Sequence, residues 1–204
     1  FGAPVTVEDC SFDLRGTPAE GGMGVIGAAP LSVRRCVFIG CPAGVSASEG
    51  VAQISNCVFA HNEVGLSTAV PGTVQNCTFY RNDYALSARG KYSCPVSVGS
   101  SILWANNIAP MRLGTDFCTP QISFSNVEGG HPGTGNIDVD PMFFLPSAEE
   151  PDAHLCAFSP CVDAGDPFSD YSNEPEPNGG RVNMGAYGNT WEATTSELVD
   201  TDGD

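Results

Sequence analysis

Three aspartates near the end of the chain have the spacing of a calcium-binding loop. Asp200, Asp202 and Asp204 stand at alternate positions of the phrase DTDGD. Carboxylates at loop positions 1, 3 and 5 form the first half of many Ca²⁺ loops, because Ca²⁺ prefers hard oxygen ligands. We therefore predict weak calcium binding by these three residues. The alternative is an acidic end without fixed structure.

Two further pairs of aspartates have the residue types of a hydrolase. Asp138 and Asp140 lie in GNIDVDP, and Asp163 and Asp166 lie in DAGDP. Paired carboxylates act as general acid and base in glycoside hydrolysis. The interpretation that we favour is structural, with these acids accepting hydrogen bonds from backbone amides in turns. In that interpretation Asp163 or Asp166 also pairs with Arg181.

A polysaccharide lyase needs a base and a cation that neutralises the substrate carboxylate. The basic residues available for such chemistry are His61, Arg81, Arg89 and Lys91. His61 and Arg81 end the similar phrases CVFAH and CTFYR, so we expect them to lie side by side in a shallow polar patch. We favour reading all four as solvated loop residues.

A repeated phrase supplies the elements that position these residues. It reads VTVEDCSF at 5–12, LSVRRCVF at 31–38, AQISNCVF at 52–59 and GTVQNCTF at 72–79, with weaker copies VSVGSSIL at 96–103 and ISFSNVEG at 122–129. The copies alternate like strands, their flanks are rich in turn residues, and no helical period lies between them. A period of about 20–25 residues with this content predicts a solenoid. We predict an all-β fold, a right-handed parallel β-helix of about five to seven coils.

Stacked coils place equivalent residues in columns about 4.8 Å apart. The first predicted column contains Cys10, Cys36, Cys57, Cys77, Ser101 and Val127. The second contains Phe12, Phe38, Phe59, Phe79 and Leu103. The third, at a bend where the strand alternation slips by one residue, contains Asp9, Arg35, Asn56, Asn76, Ser100 and Asn126. Asparagine suits such a bend because it tolerates the left-handed region, and we expect its amide to bond to the next coil.

The chain divides into three parts. Residues 1–130 contain the coils, with enlarged loops at 13–30, 83–95 and 105–121. Residues 131–192 lose the repeat and gain Pro, Asp and Gly, which indicates an irregular final coil and cap over the open hydrophobic end. Residues 193–204 are an acidic linker or the start of a calcium-binding repeat. The chain opens on FGAPVTVEDC, already inside a coil, so we expect further coils upstream.

The charge of the chain is strongly negative and uneven. The formal net charge is −16, and residues 131–204 carry 15 of the 24 acidic residues but one of the 8 basic residues, Arg181. Such a surface repels nucleic acid and anionic membranes. The sequence also lacks a run of 18 apolar residues, so we predict neither nucleic-acid binding nor membrane insertion.

Nine cysteines without metal-binding spacing indicate an oxidising compartment. Cys156 and Cys161 are close enough in sequence to pair locally, and Cys94 and Cys118 can meet across adjacent coils. In-register stacking is poor geometry for a disulfide, so we expect most cysteines of the column to be free, buried and packed as small apolar side chains.

These phrases resemble those of known β-helix proteins. The coils resemble the pectin-lyase-like right-handed β-helix superfamily, and CVFAHN and CTFYRN contain the F-x-x-N of polymorphic outer-membrane protein repeats. The series ISFSNVEGG, GTGNIDVDPMFF, SPCVDAGDP and NEPEPNGGRVNMGAYGNT resembles the C-terminal end of large secreted bacterial β-helix proteins. Asp200–Asp204 resembles the start of a thrombospondin type 3 or dockerin-like repeat. The resemblance implies a fold and a cell-surface or extracellular location, not a reaction.

We therefore expect a non-catalytic, extracellular structural or adhesive module. Its expected partners are other β-helix coils, of the same chain or of neighbouring subunits in a filament, and cell-surface glycan bound by the loops. The alternative is a carbohydrate-active enzyme, a polysaccharide lyase or glycoside hydrolase.

Overall fold

The chain forms a solenoid of short parallel strands. The computed structural model describes residues 2–16, 22–89, 95–113, 120–144 and 152–196. Within these residues there is no helix, and the sheets are built from strands of successive repeats lying parallel in register. The predicted all-β fold of stacked parallel sheets is therefore confirmed. The sheets contain six, six and five strands.

The described residues contain strands of two to seven residues. They are β1 (Val5–Glu8), β2 (Ser11–Asp13), β3 (Val25–Ala28), β4 (Leu31–Arg34), β5 (Val37–Ile39), β6 (Ala43–Glu49), β7 (Ala52–Ser55), β8 (Val58–Ala60), β9 (Val64–Thr68), β10 (Gly72–Gln75), β11 (Thr78–Tyr80), β12 (Tyr84–Ala88), β13 (Val96–Gly99), β14 (Ile102–Trp104), β15 (Ala109–Leu113), β16 (Gln121–Ser123) and β17 (Asn126–Val127). Sheet 1 has the order β1-β4-β7-β10-β13-β16, sheet 2 the order β2-β5-β8-β11-β14-β17, and sheet 3 the order β3-β6-β9-β12-β15.

A single left-handed residue lies at the bend between each strand of sheet 1 and the next strand of sheet 2. The residues with positive φ at this bend are Asp9, Arg35, Asn56, Asn76, Ser100 and Phe124. The bend is confirmed for the first five, but the prediction of Asn126 is wrong. Val98 pairs with Ile122, so the sixth copy is shifted by two residues and Asn126 lies inside β17. The sixth copy follows a long loop and lacks the cysteine and the final phenylalanine of the first four copies, so its register cannot be read from the sequence.

Four phenylalanine rings form a continuous stack inside the solenoid. The ring centroids are 4.9 Å apart between Phe12 and Phe38, 5.0 Å between Phe38 and Phe59, and 4.7 Å between Phe59 and Phe79. Leu103 continues the column as predicted, opposite Phe79. Parallel strands repeat at about the same distance, so each ring covers the next without a gap.

The neighbouring column begins with four cysteines and ends with two serines. The backbone N–H of Cys77 donates to Ser101 Oγ (3.1 Å), and that of Ser101 donates to Ser125 Oγ (3.1 Å). The prediction that Val127 ends this column is wrong. Val127 pairs with Leu103 and so extends the phenylalanine column instead, because of the same shift of two residues.

A ladder of buried asparagine amides joins the coils at the turn after sheet 2. Asn62 Nδ2 donates to Asn82 Oδ1 (2.9 Å), and Asn82 Nδ2 donates to Asn106 Oδ1 (3.1 Å). The prediction that asparagine amides at the bend before sheet 2 bond to the next coil is wrong. There Asn56 Nδ2 donates instead to the carbonyls of Ala186 and Gly188.

The C-terminal part of the chain lies mainly along the side of the solenoid. Ile137 forms a bridge with Asn126, so residues 131–139 do continue over the last coil, as expected of a cap. Phe143, Leu155 and Met184 pack on the outer face of sheet 2, where Val58 and Ile102 are buried in the same second core. The assignment of residues 131–192 as a whole to an irregular final coil and cap stays a prediction. The outward face of sheet 2 is apolar enough to bind the returning chain.

We predict that replacing Phe59 by Ala lowers the free energy of unfolding by about 3–5 kcal/mol. Phe59 is fully buried and stacks on rings at both faces. Phe12→Ala is the matched comparison and costs less, because Phe12 is only partly buried and stacks on one side. Urea denaturation of the two variants measures the difference, and equal losses would contradict the stacking argument.

Candidate functional site

A pocket lies at the seam between the first coils and the returning C-terminal segment. Its volume is about 320 Å³, which lies within the range of small-molecule sites. On the solenoid side it is lined by the bend residues Asp9, Arg35 and Asn56. On the other side Tyr187 and Trp191 belong to the C-terminal segment. We call it the seam pocket.

The solenoid side of the seam pocket carries a fixed pair of opposite charges. Arg35 Nε donates to Asp9 Oδ1 (2.6 Å) and Arg35 Nη2 donates to Asp9 Oδ2 (2.9 Å). These hydrogen bonds lower the pKa of Asp9 below its usual range. Arg35 Nη2 also donates to Glu8 Oε2 (3.2 Å). The Asp9–Arg35 pair is exposed, so it contributes little to stability, but it presents an oriented guanidinium and carboxylate at the pocket.

The opposite side of the seam pocket is aromatic. Trp191 is 79% exposed, which is unusual for so large an apolar side chain. Tyr187 stacks on His154 with ring centroids 3.7 Å apart, and burial raises the pKa of Tyr187 to about 12. Thr190 Oγ1 donates to the Tyr187 carbonyl (2.6 Å), which fixes the turn that presents Trp191. Aromatic side chains therefore line one side of the pocket and hydrogen-bonding groups line the other.

The first strand of each sheet forms an open edge at one end of the solenoid. Within the described residues, β1, β2 and β3 each pair with a strand on one side only. Val5 is 44% exposed, and Phe12 packs on the core while remaining partly exposed. We call this end the open edge. Unpaired strand edges of this kind are ready templates for further strands.

Three of the four aspartates in the predicted pairs accept backbone N–H groups, as the structural interpretation predicts. Asp138 Oδ1 accepts the N–H of Gly129 (3.1 Å), and Asp140 Oδ1 accepts that of Met142 (2.9 Å). Asp166 Oδ1 likewise accepts the N–H of Phe168 (3.0 Å).

Arg181 pairs with neither Asp163 nor Asp166, so that part of the prediction is wrong. Its guanidinium donates to the carbonyls of Gly165 (Nε, 2.5 Å) and Ala164 (Nη2, 2.9 Å). The carboxylate of Asp163 instead accepts the hydroxyl of Ser196 (2.7 Å). Arg181 thus holds the backbone of the DAGDP turn rather than its side chains.

His61 and Arg81 occupy equivalent left-handed positions in neighbouring coils, so their predicted proximity is confirmed. Burial, and then the charges of Arg81 and Arg15, lower the pKa of His61. Its Nε2 is buried and has no hydrogen-bond partner within the described part of the chain. Arg81 lies over the ring of Tyr80, 5.0 Å from its centroid.

Several predicted residues lie outside the described part of the chain. They are the calcium candidates Asp200, Asp202 and Asp204, the lyase candidate Lys91, and the proposed pair Cys94 and Cys118. Among the residues that the structure does describe, no three His, Cys, Asp or Glu side chains converge as a metal-binding group. The same residues contain no helix that is long and apolar enough to cross a membrane.

The described cysteines are free thiols, as expected for the column. The local pairing of Cys156 with Cys161 is not formed. Cys161 instead accepts a hydrogen bond from Asn126 Nδ2 (3.1 Å), which holds it against β17. Burial raises the pKa of Cys161 to about 11 and that of Cys57 well above its usual value.

Sequence reasoning missed the seam pocket altogether. Its two walls come from residues 9–58 and 186–192, and no motif links these segments. Trp191 was the available signal, because a lone tryptophan in a polar, turn-rich segment has no obvious core to join.

Comparison of the chain with protein-family models, with curated proteins and with solved structures found no match. The class of the protein therefore rests on its own fold, a parallel β-solenoid repeat protein with a returning C-terminal segment.

We predict that Cys57 resists alkylation in the folded protein at pH 8. Its raised pKa keeps the thiol protonated and its burial excludes the reagent, so we expect labelling at least about 100-fold slower than in denaturant. Iodoacetamide labelling followed by peptide mass mapping measures this rate. Cys156, which is partly exposed, is the internal reference, and equal rates at the two sites would refute the prediction.

Proposed function

We propose that the chain is a non-catalytic extracellular module with a structural and adhesive role, which pairs end to end with further β-helix coils. The observation that carries this proposal is the open edge, where all three sheets end on an unpaired strand at the same end of the solenoid. A coil stacked there continues every ladder at the existing spacing.

The interior of the solenoid supports continued stacking. The phenylalanine stack reaches the open edge at Phe12, whose outer face has no ring above it among the described residues. A further coil that covers this ring gains both apolar burial and backbone pairing. Further coils can come from the same polypeptide or from a neighbouring subunit, and a repeated head-to-tail contact generates a filament.

The secreted location belongs to the same proposal. It is supported by the acidic composition, with a net charge of −16, and by the resemblance of the repeat phrases to those of secreted β-helix proteins. The finer relation to the pectin-lyase-like superfamily and to F-x-x-N repeat proteins of bacterial surfaces rests on the sequence phrases.

We predict that Thr6→Pro prevents end-to-end assembly while leaving the fold intact. The N–H groups of Val5 and Asp9 donate to the adjacent coil (2.9 and 3.2 Å). Alternation along β1 therefore points the N–H of Thr6 towards the open edge. Proline removes this donor, so an incoming strand loses a hydrogen bond and meets the proline ring.

Light scattering at rising protein concentration, with negative-stain imaging of the same samples, measures assembly. Thr6→Val keeps the N–H and is the matched control, which we expect to assemble like the unchanged protein. Compact monomers of the unchanged protein at all concentrations would refute self-assembly and leave stacking on coils of the same chain.

A second proposed role is glycan binding in the seam pocket. The exposed face of Trp191 lies across the pocket from the oriented Asp9–Arg35 pair. Sugars present an apolar face of C–H groups and a rim of hydroxyls, which match an aromatic wall and paired donors and acceptors. The seam pocket is therefore the part of the surface that we propose for adhesion to glycans.

We predict that Trp191→Ala weakens glycan binding at least about tenfold, by removing the stacking surface. A glycan array identifies the saccharide, and calorimetry with that saccharide measures affinity. Phe168→Ala is the control, because Phe168 is 93% exposed and lies outside the pocket lining. Unchanged affinity of the Trp191→Ala variant would show that the glycan binds outside the seam pocket. Cleavage of the bound oligosaccharide would favour the lyase or hydrolase alternative.

A further inference from the structure

Two carboxylates of the C-terminal segment each keep one buried oxygen without a hydrogen-bond partner. These atoms are Oδ1 of Asp163 and Oε2 of Glu174. Glu174 is only 5% exposed, so water does not solvate its charge freely. A buried carboxylate oxygen is strongly disfavoured unless a donor or a cation compensates for lost hydration. The described part of the chain provides no such group.

Asn183 lies between these two acids. Its backbone N–H donates to Glu174 Oε1 (2.9 Å), and its Oδ1 accepts the N–H of Asp163 (2.7 Å). Glu174 Oε1 also accepts the N–H of Asn189 (2.7 Å). Oε1 of Glu174 therefore accepts two hydrogen bonds, which hold the side chain in place. Oε2 of the same carboxylate accepts none from the described residues.

The two carboxylates also act on each other. Burial, and to a lesser extent the charge of Asp163, raise the pKa of Glu174, while its backbone hydrogen bonds oppose the change. The basic residue of this segment does not relieve the repulsion, because Arg181 donates to the carbonyls of Ala164 and Gly165. Among the described residues, no ion pair reaches either carboxylate.

We propose that Asp163 and Glu174 bind a divalent cation, Ca²⁺, through their free oxygens. Ca²⁺ accepts six to eight oxygen ligands and takes many of them from backbone carbonyls, hydroxyls and water. Two carboxylates in an irregular, carbonyl-rich loop region suit that requirement. Ser196, whose hydroxyl bonds to Asp163 Oδ2, brings a third oxygen to the same place. The set lacks the Cys and His ligands that favour zinc.

The cation would join loops that no strand connects. Described residues 156–196 form no strand of the three sheets. Individual hydrogen bonds, and not a sheet ladder, connect them to the solenoid. One of these runs from Asn76 Nδ2 to the carbonyl of Asn183, which is next to the two acids (3.0 Å). Binding energy at such a site becomes folding energy for the segment that carries it.

The test compares the full chain, freed of metal with a chelator, with and without excess Ca²⁺ at pH 7.5. We expect Ca²⁺ to raise the melting temperature by about 5 °C or more. Calorimetric titration of the same protein with Ca²⁺ should show saturable binding that accounts for this rise in melting temperature. Glu174→Gln and Asp163→Asn should each abolish the rise and weaken that binding at least tenfold.

Two controls separate this site from other acids. Asp170→Asn removes an exposed carboxylate of the same segment and should keep the full response. The double variant Asp200→Asn, Asp202→Asn disables the predicted tail loop and should also keep it. The proposal is overturned if the unchanged protein neither binds Ca²⁺ nor gains stability. That result is expected if Glu174 is protonated, because a neutral carboxyl group needs no cation. It is equally overturned if Glu174→Gln and Asp163→Asn keep the response or the tail variant loses it.

Discussion

The structure depends on one constraint, the in-register hydrogen bonding of parallel strands between coils. This bonding fixes the distance between equivalent residues, so every inward side chain packs on the same position of the next coil. Phenylalanine suits the constraint because its rings stack at 4.7–5.0 Å. The strand of sheet 3 that faces the rings then has no room for a side chain. In β9, a Cβ on Gly65 would lie 2.7 Å from both the Phe79 ring and the Ala85 carbonyl. One spacing thus selects aromatic residues in one sheet and glycine in another.

The same repetition explains the outer surface. Sheet 2 presents an apolar stripe outward as well as inward, and a solenoid alone cannot bury both faces. The returning chain covers that stripe with Phe143, Leu155 and Met184. Bend residues then become connectors, since Asn56 and Asn76 donate to carbonyls of the returning chain. The seam pocket and the proposed cation site both exist because of this return.

The two proposed interaction surfaces lie near each other. Asp9 belongs to the first coil, next to the open edge, and also lines the seam pocket. A coil stacked on β1 and β2 would therefore adjoin the pocket. The acidic charge, in contrast, is concentrated in the returning segment, where the proposed divalent cation would reduce repulsion between neighbouring carboxylates.

The repeat can be derived from the sequence alone, because a strand that pairs in register must keep similar residues at equivalent positions. The phenylalanine column, the left-handed bend and the free cysteines of the column followed from that rule. It failed at the sixth copy, where a long loop and a weak motif allowed a shift of two residues. Three features become visible only in the folded chain: the position of the C-terminal segment, the carbonyls that Arg181 binds, and the buried oxygens of Asp163 and Glu174 that lack a partner among the described residues. These depend on contacts between residues up to about 130 positions apart, and an unrepeated segment carries no periodic signal that could reveal them.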